Sequence, residues 1–144
     1  MPLPPDRREP VPTAPAGAAP SYAGMQVLDL HVLLNAAAGD RALAWELMTL
    51  FTETAPQMCA RLTTAMQSGE CAASLHESHA LAGAAGLIGA TGLSAILKQI
   101  EGLAFQRQAQ SFASLLPTLS HTFATVMAAV AQVLQDFDPP AGMV

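Results

Sequence analysis

Residues 75–90 decide the fold, and they read LHESHALAGAAGLIGA. If successive helical residues are rotated by about 100°, His79 points roughly 130° away from the centre of the apolar side. The residues of that side suit a protein core, and they are Ser74, Ser78, Leu81, Ala85 and Ile88. The periodicity therefore predicts one helix of a bundle, with the His79 side chain on its outside.

Small side chains are predicted to surround His79. The residues that fall beside it on the outer side are His76, Ala82, Gly83 and Gly86, followed by Leu87. A glycine inside a helix costs about 1 kcal/mol relative to alanine, so two of them near one exposed histidine need a physical reason. Close approach of another protein is one such reason, which makes these residues a candidate partner-docking surface. Loose surface composition in a chain rich in Ala and Gly is the alternative.

The ends of the chain differ in composition from its middle. Residues 1–24 hold seven of the eleven prolines, and such a segment cannot bury enough apolar surface to offset its ordering entropy. We expect residues 1–24 to be a disordered tail or an interdomain linker. We expect residues 25–138 to form the folded domain, and residues 139–144 to be a disordered C-terminal tail.

The middle of the chain reads as a series of helices. Asp29 is the predicted N-cap of a short helix that ends near Gly39. Asp40 is the predicted N-cap of a long helix, which Pro56 should kink or split. The following helices are predicted over about residues 70–87, 91–106 and 111–136. The last of them carries apolar residues spaced alternately four and three apart, which is typical of a bundle seam.

Composition supports a helical protein. Hydrophobic residues make up 51% of the chain and aromatic residues 5%. Ala, Leu and Met are strong helix formers, whereas the Val and Ile that favour strands are scattered. Four substantial helices with short connections predict an all-α, antiparallel four-helix bundle with a short extra N-terminal helix as a lid.

Charge and cysteine content argue against several classes of protein. The net charge is -5 and the six basic residues form no cluster, which argues against binding to nucleic acid or to anionic lipid. Residues 80–97 lack charge over 18 positions, but Ala and Gly give little insertion energy, so a membrane span is not favoured. Cys59 and Cys71 form neither a metal pattern nor a disulfide framework. We expect reduced thiols in a cytoplasmic protein.

Metal and hydrolytic chemistry find little support in the histidines. His76 and His79 are three residues apart, whereas the metal-binding helix of zincins places two histidines four apart. A two-histidine surface site without a third ligand binds metal weakly, so no metal site is expected. No phosphate-cradling glycine loop and no Ser/His/Asp grouping with a supporting context is visible.

The wider pattern around His79 resembles a known family. From His79 through Gly83 to Gly89, the chain is similar to the signature of histidine-containing phosphotransfer (HPt) domains, which reads His-x-Leu-Lys-Gly-Ser/Ala and then Leu or Ile and Gly. The similarity extends over residues 27–137. Further matching pairs and triplets are Leu28-Asp29, Gly39-Asp40, Ala55-Pro56, Gly69-Glu70 and Gln99-Ile100-Glu101.

This resemblance implies a function for His79. In HPt domains the histidine accepts a phosphoryl group from the aspartyl phosphate of a receiver domain and returns it to another receiver. A neutral imidazole has the nucleophilic nitrogen that this chemistry needs. The implied partner is the receiver domain of a response regulator or hybrid sensor histidine kinase, which would supply Mg²⁺. The chain itself is expected to bind no cofactor, to have no kinase activity and to be a monomer.

One position departs from the family pattern. Ala82 stands where HPt domains usually carry lysine, whose charge would lie one turn from the imidazole and partly neutralise the phosphoryl group. Lys98, the one lysine of the chain, is the candidate for compensation from the next helix. The departure leaves open a second hypothesis, a module that docks on a receiver domain or sensor kinase without accepting phosphate. A third hypothesis is a membrane or oligomerisation element built on the glycine-rich stretch.

Overall fold

A computed structural model describes residues 27–136 of the chain. Both predicted tails, residues 1–24 and 139–144, lie outside the described residues. The described part contains five α-helices, and a 3-10 turn at Ala109–Ser111 precedes the last of them. The helices are α1 Leu30–Ala36, α2 Arg41–Gln67, α3 Cys71–Leu87, α4 Thr91–Phe105 and α5 Phe112–Asp136.

Helices α2 to α5 form a bundle. α3 packs between α2 and α4, and α5 closes the ring by packing on α2 and α4. Because the connections are short, consecutive helices run antiparallel. The prediction of an all-α, antiparallel four-helix bundle with a short N-terminal helix is therefore confirmed, and residues 27–136 contain no strand.

Two aspartates begin the first two helices, as predicted. Asp29 Oδ1 accepts a hydrogen bond of 3.0 Å from the amide of His31. Asp40 Oδ1 accepts one of 2.9 Å from the amide of Ala42. Each cap satisfies an amide that the helix itself leaves free. Pro56 does not split α2, which runs unbroken through it. Proline removes one helical hydrogen bond, and the packing of α2 on α3 and α5 holds the rest of the helix.

The core lies along the inner faces of all five helices. In α4 one side faces the core, and its buried residues are Leu93, Leu97, Ile100 and Ala104. In α2 the large Leu43 is exposed while the neighbouring Ala44 is buried. Small side chains allow helices to approach closely, so the largest apolar residues alone do not mark the packed face of α2.

The turn between α3 and α4 holds α1 in place. Gly89 has a φ of +80°, a left-handed conformation that favours glycine, and it divides residues 80–97 between two helices. The Gly89 carbonyl accepts a hydrogen bond of 2.7 Å from the amide of Asp29, and Leu33 of α1 is buried in the core. α1 is therefore fastened to the end of the bundle at which α3 stops.

One stretch of the described chain, Ala109–Asp136, is long and apolar enough to cross a membrane by length and composition. Four of its apolar side chains are buried, and they are Phe112, Leu119, Val126 and Val130. They belong to the apolar stripe predicted for the last helix, and α5 packs on α2 and α4. The apolar character of α5 thus serves the seam of a bundle.

Candidate functional site

His79 lies on the outer side of α3. Its side chain is 76% exposed. The neighbouring residues Ser78 and Leu81, which the sequence predicts to face the core, are fully buried. The predicted orientation of His79 is confirmed. The phase of α3 is set by its neighbours α2 and α4, which cover the opposite side of the helix.

A carboxylate from the next helix contacts the imidazole of His79. Nδ1 of His79 lies 2.8 Å from Oε2 of Glu101 on α4. An ionised carboxylate only accepts hydrogen bonds, so a neutral imidazole in this contact carries its proton on Nδ1. Nε2 then keeps its lone pair. The arrangement can present one defined nitrogen to an electrophile on another molecule.

The two glycines beside His79 are not required by the packing of the bundle. A Cβ added at Gly83 or at Gly86 would meet no atom within 4 Å beyond its own helix. Both residues therefore have room for alanine, which would suit the helix better. His76 and Leu87 are exposed on the same helix. Contacts among residues 27–136 therefore do not explain why glycine stands at these two positions next to His79.

The prediction that Ala82 lies outside beside His79 is wrong. Ala82 is only 5% exposed, and its carbonyl accepts a hydrogen bond of 3.5 Å from the hydroxyl of Ser94 on α4. Seen on an isolated helix, the position flanks the outer side of α3. α4 covers that flank, and a helical wheel cannot show which flank a neighbouring helix covers.

Lys98 lies one turn before Glu101 on α4, so the two side chains are neighbours on that helix. Lys98 is exposed, and among residues 27–136 it forms no ion pair or hydrogen bond. The charged group in contact with His79 is thus the anion of Glu101 and not the cation that the sequence suggested. In the sequence Glu101 belongs to the triplet Gln99-Ile100-Glu101 of the family pattern, but that pattern does not predict its contact with His79.

The other flank of α3 faces α2. Arg61 on α2 donates a hydrogen bond of 3.1 Å from Nε to Oε2 of Glu77, which ties the two helices together. Further along, a shallow apolar pocket is lined by Leu47, Leu50, Phe51, Thr54, Ala84, Leu87 and Ile88. Leu50 and Leu87 remain 54% and 50% exposed at its edge. Leu50 is not among the docking residues that the sequence predicts, all of which lie on α3.

No grouping of three or more His, Cys, Asp or Glu side chains that could hold a metal ion occurs within residues 27–136. His76 and His79 therefore have no third ligand in the described part of the chain. What the site offers is a nucleophilic nitrogen on an exposed helical surface.

The described residues thus form an all-α bundle that presents the exposed His79 on its third helix. The family model of the Hpt domain matches residues 46–136. The chain belongs to the Hpt domain family, whose members carry out histidine phosphotransfer in two-component phosphorelays with receiver domains.

Solved structures show the same fold. The histidine-containing phosphotransfer protein B of Pseudomonas aeruginosa is 24% identical with a TM-score of 0.70, and the match covers 78% of this chain and 97% of that chain. The HPT domain of a sensor hybrid histidine kinase from Shewanella matches with the same identity of 24%, the same TM-score of 0.70 and the same coverage of 78% and 97%. No curated protein matches the chain.

Proposed function

We propose that this chain is a phosphorelay intermediate that carries a phosphoryl group on Nε2 of His79. The group comes from the aspartyl phosphate of one receiver domain and passes to the aspartate of another. The observation that carries the proposal is the exposed imidazole whose Nδ1 is engaged by Glu101. The partner would be the receiver domain of a response regulator or of a hybrid sensor histidine kinase.

The transfer needs little from this chain besides position. The lone pair of Nε2 attacks phosphorus, the N–P bond forms, and the P–O bond of the aspartyl phosphate breaks as the carboxylate leaves with its electrons. Mg²⁺ in the acidic pocket of the receiver screens the transferring oxygens. The reverse sequence returns the group to a second receiver. For this role the chain needs neither a cofactor of its own nor kinase activity. We propose that it acts as a monomer in the cytoplasm. Its free cysteines would stay reduced there.

The docking surface that we propose for the receiver is the outer side of α3 around His79. It consists of His76, Gly83, Gly86 and Leu87. Ala82, which the sequence also predicts to belong to this surface, is excluded because it is buried. Because no residue of 27–136 packs against positions 83 and 86, a partner that must come close to the helix explains the glycines there. Lys98 is the cation of α4 that can swing toward a phosphoryl group on His79.

The direct test is labelling. A receiver domain is phosphorylated with acetyl phosphate, purified and mixed with the wild-type chain, and acid-labile, alkali-stable phosphate is measured on the chain. We expect label on the wild type and on His121→Gln, which is the matched control because His121 is exposed on α5, outside the proposed docking surface. No label is expected on His79→Gln. Equal labelling of the wild type and His79→Gln would refute the proposal.

A docking module that accepts no phosphate is the second candidate. It is favoured by the anion beside His79 and by the burial of Ala82, the position at which a lysine would help to hold a phosphoryl group. In an NMR titration with a receiver domain, this candidate predicts that wild type and His79→Gln bind equally and that no phosphohistidine forms on the wild type. Label on the wild-type chain excludes it.

A further inference from the structure

An aromatic side chain without a structural role lies at the end of α4. Phe105 is 76% exposed, more than any other large hydrophobic residue among residues 27–136. Removing the side chain of a phenylalanine from water contributes favourable free energy to folding or binding. In the bundle the ring of Phe105 stays in water, so folding does not obtain this contribution. The core does not need this ring.

Phe105 shares the face of α4 that meets His79. Glu101 reaches His79 from α4, and Phe105 follows Glu101 by four residues, so it lies on the same face one turn further on. The distance along the helix axis is about 6 Å. His79, Glu101 and Phe105 therefore belong to one continuous surface that crosses from α3 to α4.

The size of a protein interface decides whether a partner of His79 also covers Phe105. A protein interface at the lower end of the standard size range buries about 600–800 Å² on each side, which corresponds to a disc with a radius of about 14–16 Å. Leu87 is eight residues after His79, about 12 Å along α3, and it lies at the opposite flank beside Leu50. A receiver domain centred on His79 has room to contact both flanks.

We propose that Phe105 is a docking residue for the receiver domain, contacting it from the α4 side while Leu50 and Leu87 contact it from the α2 side. This inference rests on the function proposed for His79 and adds a partner contact outside α3. The occupant is the receiver because the surface is continuous with the reactive nitrogen, which a receiver must reach to exchange the phosphoryl group.

The charges near His79 fit apolar anchoring. Glu101 contacts the imidazole, and Lys98, one turn away, is the one cation of α4. A receiver approaches with an acidic pocket, which this surface does not strongly attract. Apolar side chains on either side of an uncharged glycine surface can supply the affinity that charge does not, and aromatic residues are frequent anchors of interfaces.

The test compares Phe105→Ala, Phe105→Leu and the wild type in binding and in transfer with the receiver that labels the wild-type chain. Phe105→Ala is expected to bind about 10-fold to 100-fold more weakly. Labelling at low receiver concentration should slow by the same factor, whereas labelling at saturating receiver should stay within about twofold of the wild type. Phe105→Leu should recover part of the affinity. Because the ring is exposed, the melting temperature should not fall in either variant.

Gln106→Ala is the control. Gln106 is the exposed neighbour of Phe105, rotated by about 100° around α4, so its truncation should leave binding unchanged. Binding of Phe105→Ala equal to the wild type, or an equal loss in Gln106→Ala, would overturn the docking role while normal labelling of His79 left the proposed function intact. A wild-type chain that no receiver labels would overturn both.

Discussion

The carboxylate of Glu101 meets the imidazole of His79 across two neighbouring helices, with 2.8 Å between Oε2 and Nδ1. The contact joins the histidine of α3 to a residue 22 positions later in the chain. It orients the ring and selects the nitrogen that faces solvent.

Removing the Glu101 carboxylate should slow phosphoryl transfer through His79. In Glu101→Ala the ring loses the acceptor that keeps its proton on Nδ1, so both tautomers become populated. The pair is exposed, and an exposed pair is worth at most about 1 kcal/mol, so we expect a loss of no more than about fivefold. Glu101→Gln keeps an oxygen acceptor and should lose less. The measurement is the transfer rate at saturating receiver, together with the ¹⁵N shifts of the His79 ring.

Glu77→Gln is the matched control for charge. It removes the same charge and weakens the contact with Arg61, but it leaves the ring of His79 untouched. Its transfer rate and its His79 ring shifts should match those of the wild type. If Glu101→Ala behaves in the same way as this control, Glu101 does not position the histidine.

Gly89→Ala should destabilise the fold far more than Gly39→Ala. Both glycines have a left-handed φ, +80° and +79°, which costs alanine about 1 kcal/mol. At Gly39 a Cβ meets nothing within 4 Å, whereas at Gly89 it overlaps the carbonyl oxygen of Asp29. We expect a loss of about 1 kcal/mol at Gly39 and about 2–4 kcal/mol at Gly89, measured by urea unfolding. Equal losses would mean that α1 is not fastened to the α3–α4 turn.

Gly83→Ala should stabilise the protein while a larger side chain at the same position weakens its function. The methyl group meets no other atom, and alanine is favoured over glycine in a helix by about 0.5–1 kcal/mol. Gly102→Ala on α4, where a Cβ is equally free, should show the same gain in unfolding free energy. Gly83→Gln should reduce receiver binding and labelling without lowering stability below the wild type. Wild-type labelling in Gly83→Gln would argue against close approach at this glycine.

A lysine at position 82 should prolong the life of phosphohistidine at the expense of the fold. Ala82 is buried against α4, so the stem of lysine must displace neighbours while its ammonium group reaches toward the surface. We expect a loss of about 1–3 kcal/mol in unfolding free energy from overpacking. The phosphoryl group on His79 gains a nearby cation and should hydrolyse more slowly. The measurement is the half-life of the isolated phosphoprotein. It should be longer than that of the wild type in Ala82→Lys, which adds a cation, and shorter in Lys98→Gln, which removes one.

Cys59 should resist thiol reagents in the folded protein. Burial raises the pKa of the Cys59 thiol, and a side-chain hydrogen bond with Thr63 opposes this in part. The thiolate is the reactive form, so at mildly alkaline pH the half-buried Cys71 should be modified first. Above the ordinary pKa of a cysteine the unfolded chain loses this proton while the folded chain keeps it, so stability falls as pH rises. Cys59→Ala should flatten that alkaline slope in unfolding experiments, and an unchanged slope would assign it to other groups.

Features that depend on residues close together in the chain were predictable from sequence. The caps at Asp29 and Asp40, the turn at Gly89 and the outward direction of His79 all follow from local conformation and helical period. The exposed face of α2 was less predictable, because its inner face contains Ala44 and Ala55 and its large Leu43 and Leu50 lie outside. The size of its side chains therefore does not show which face of a helix packs against the neighbouring helices.

The sequence by itself thus determined an all-helical bundle and one outward histidine on a helix with bare glycines. Only the tertiary structure decided that Ala82 is buried, that Glu101 and not Lys98 contacts His79, and that Phe105 lies on the same surface. The physical reason is that helical period fixes the direction of a side chain within its own helix. The angle and level at which α4 packs on α3 come from the fit of the whole core, which no single helix encodes.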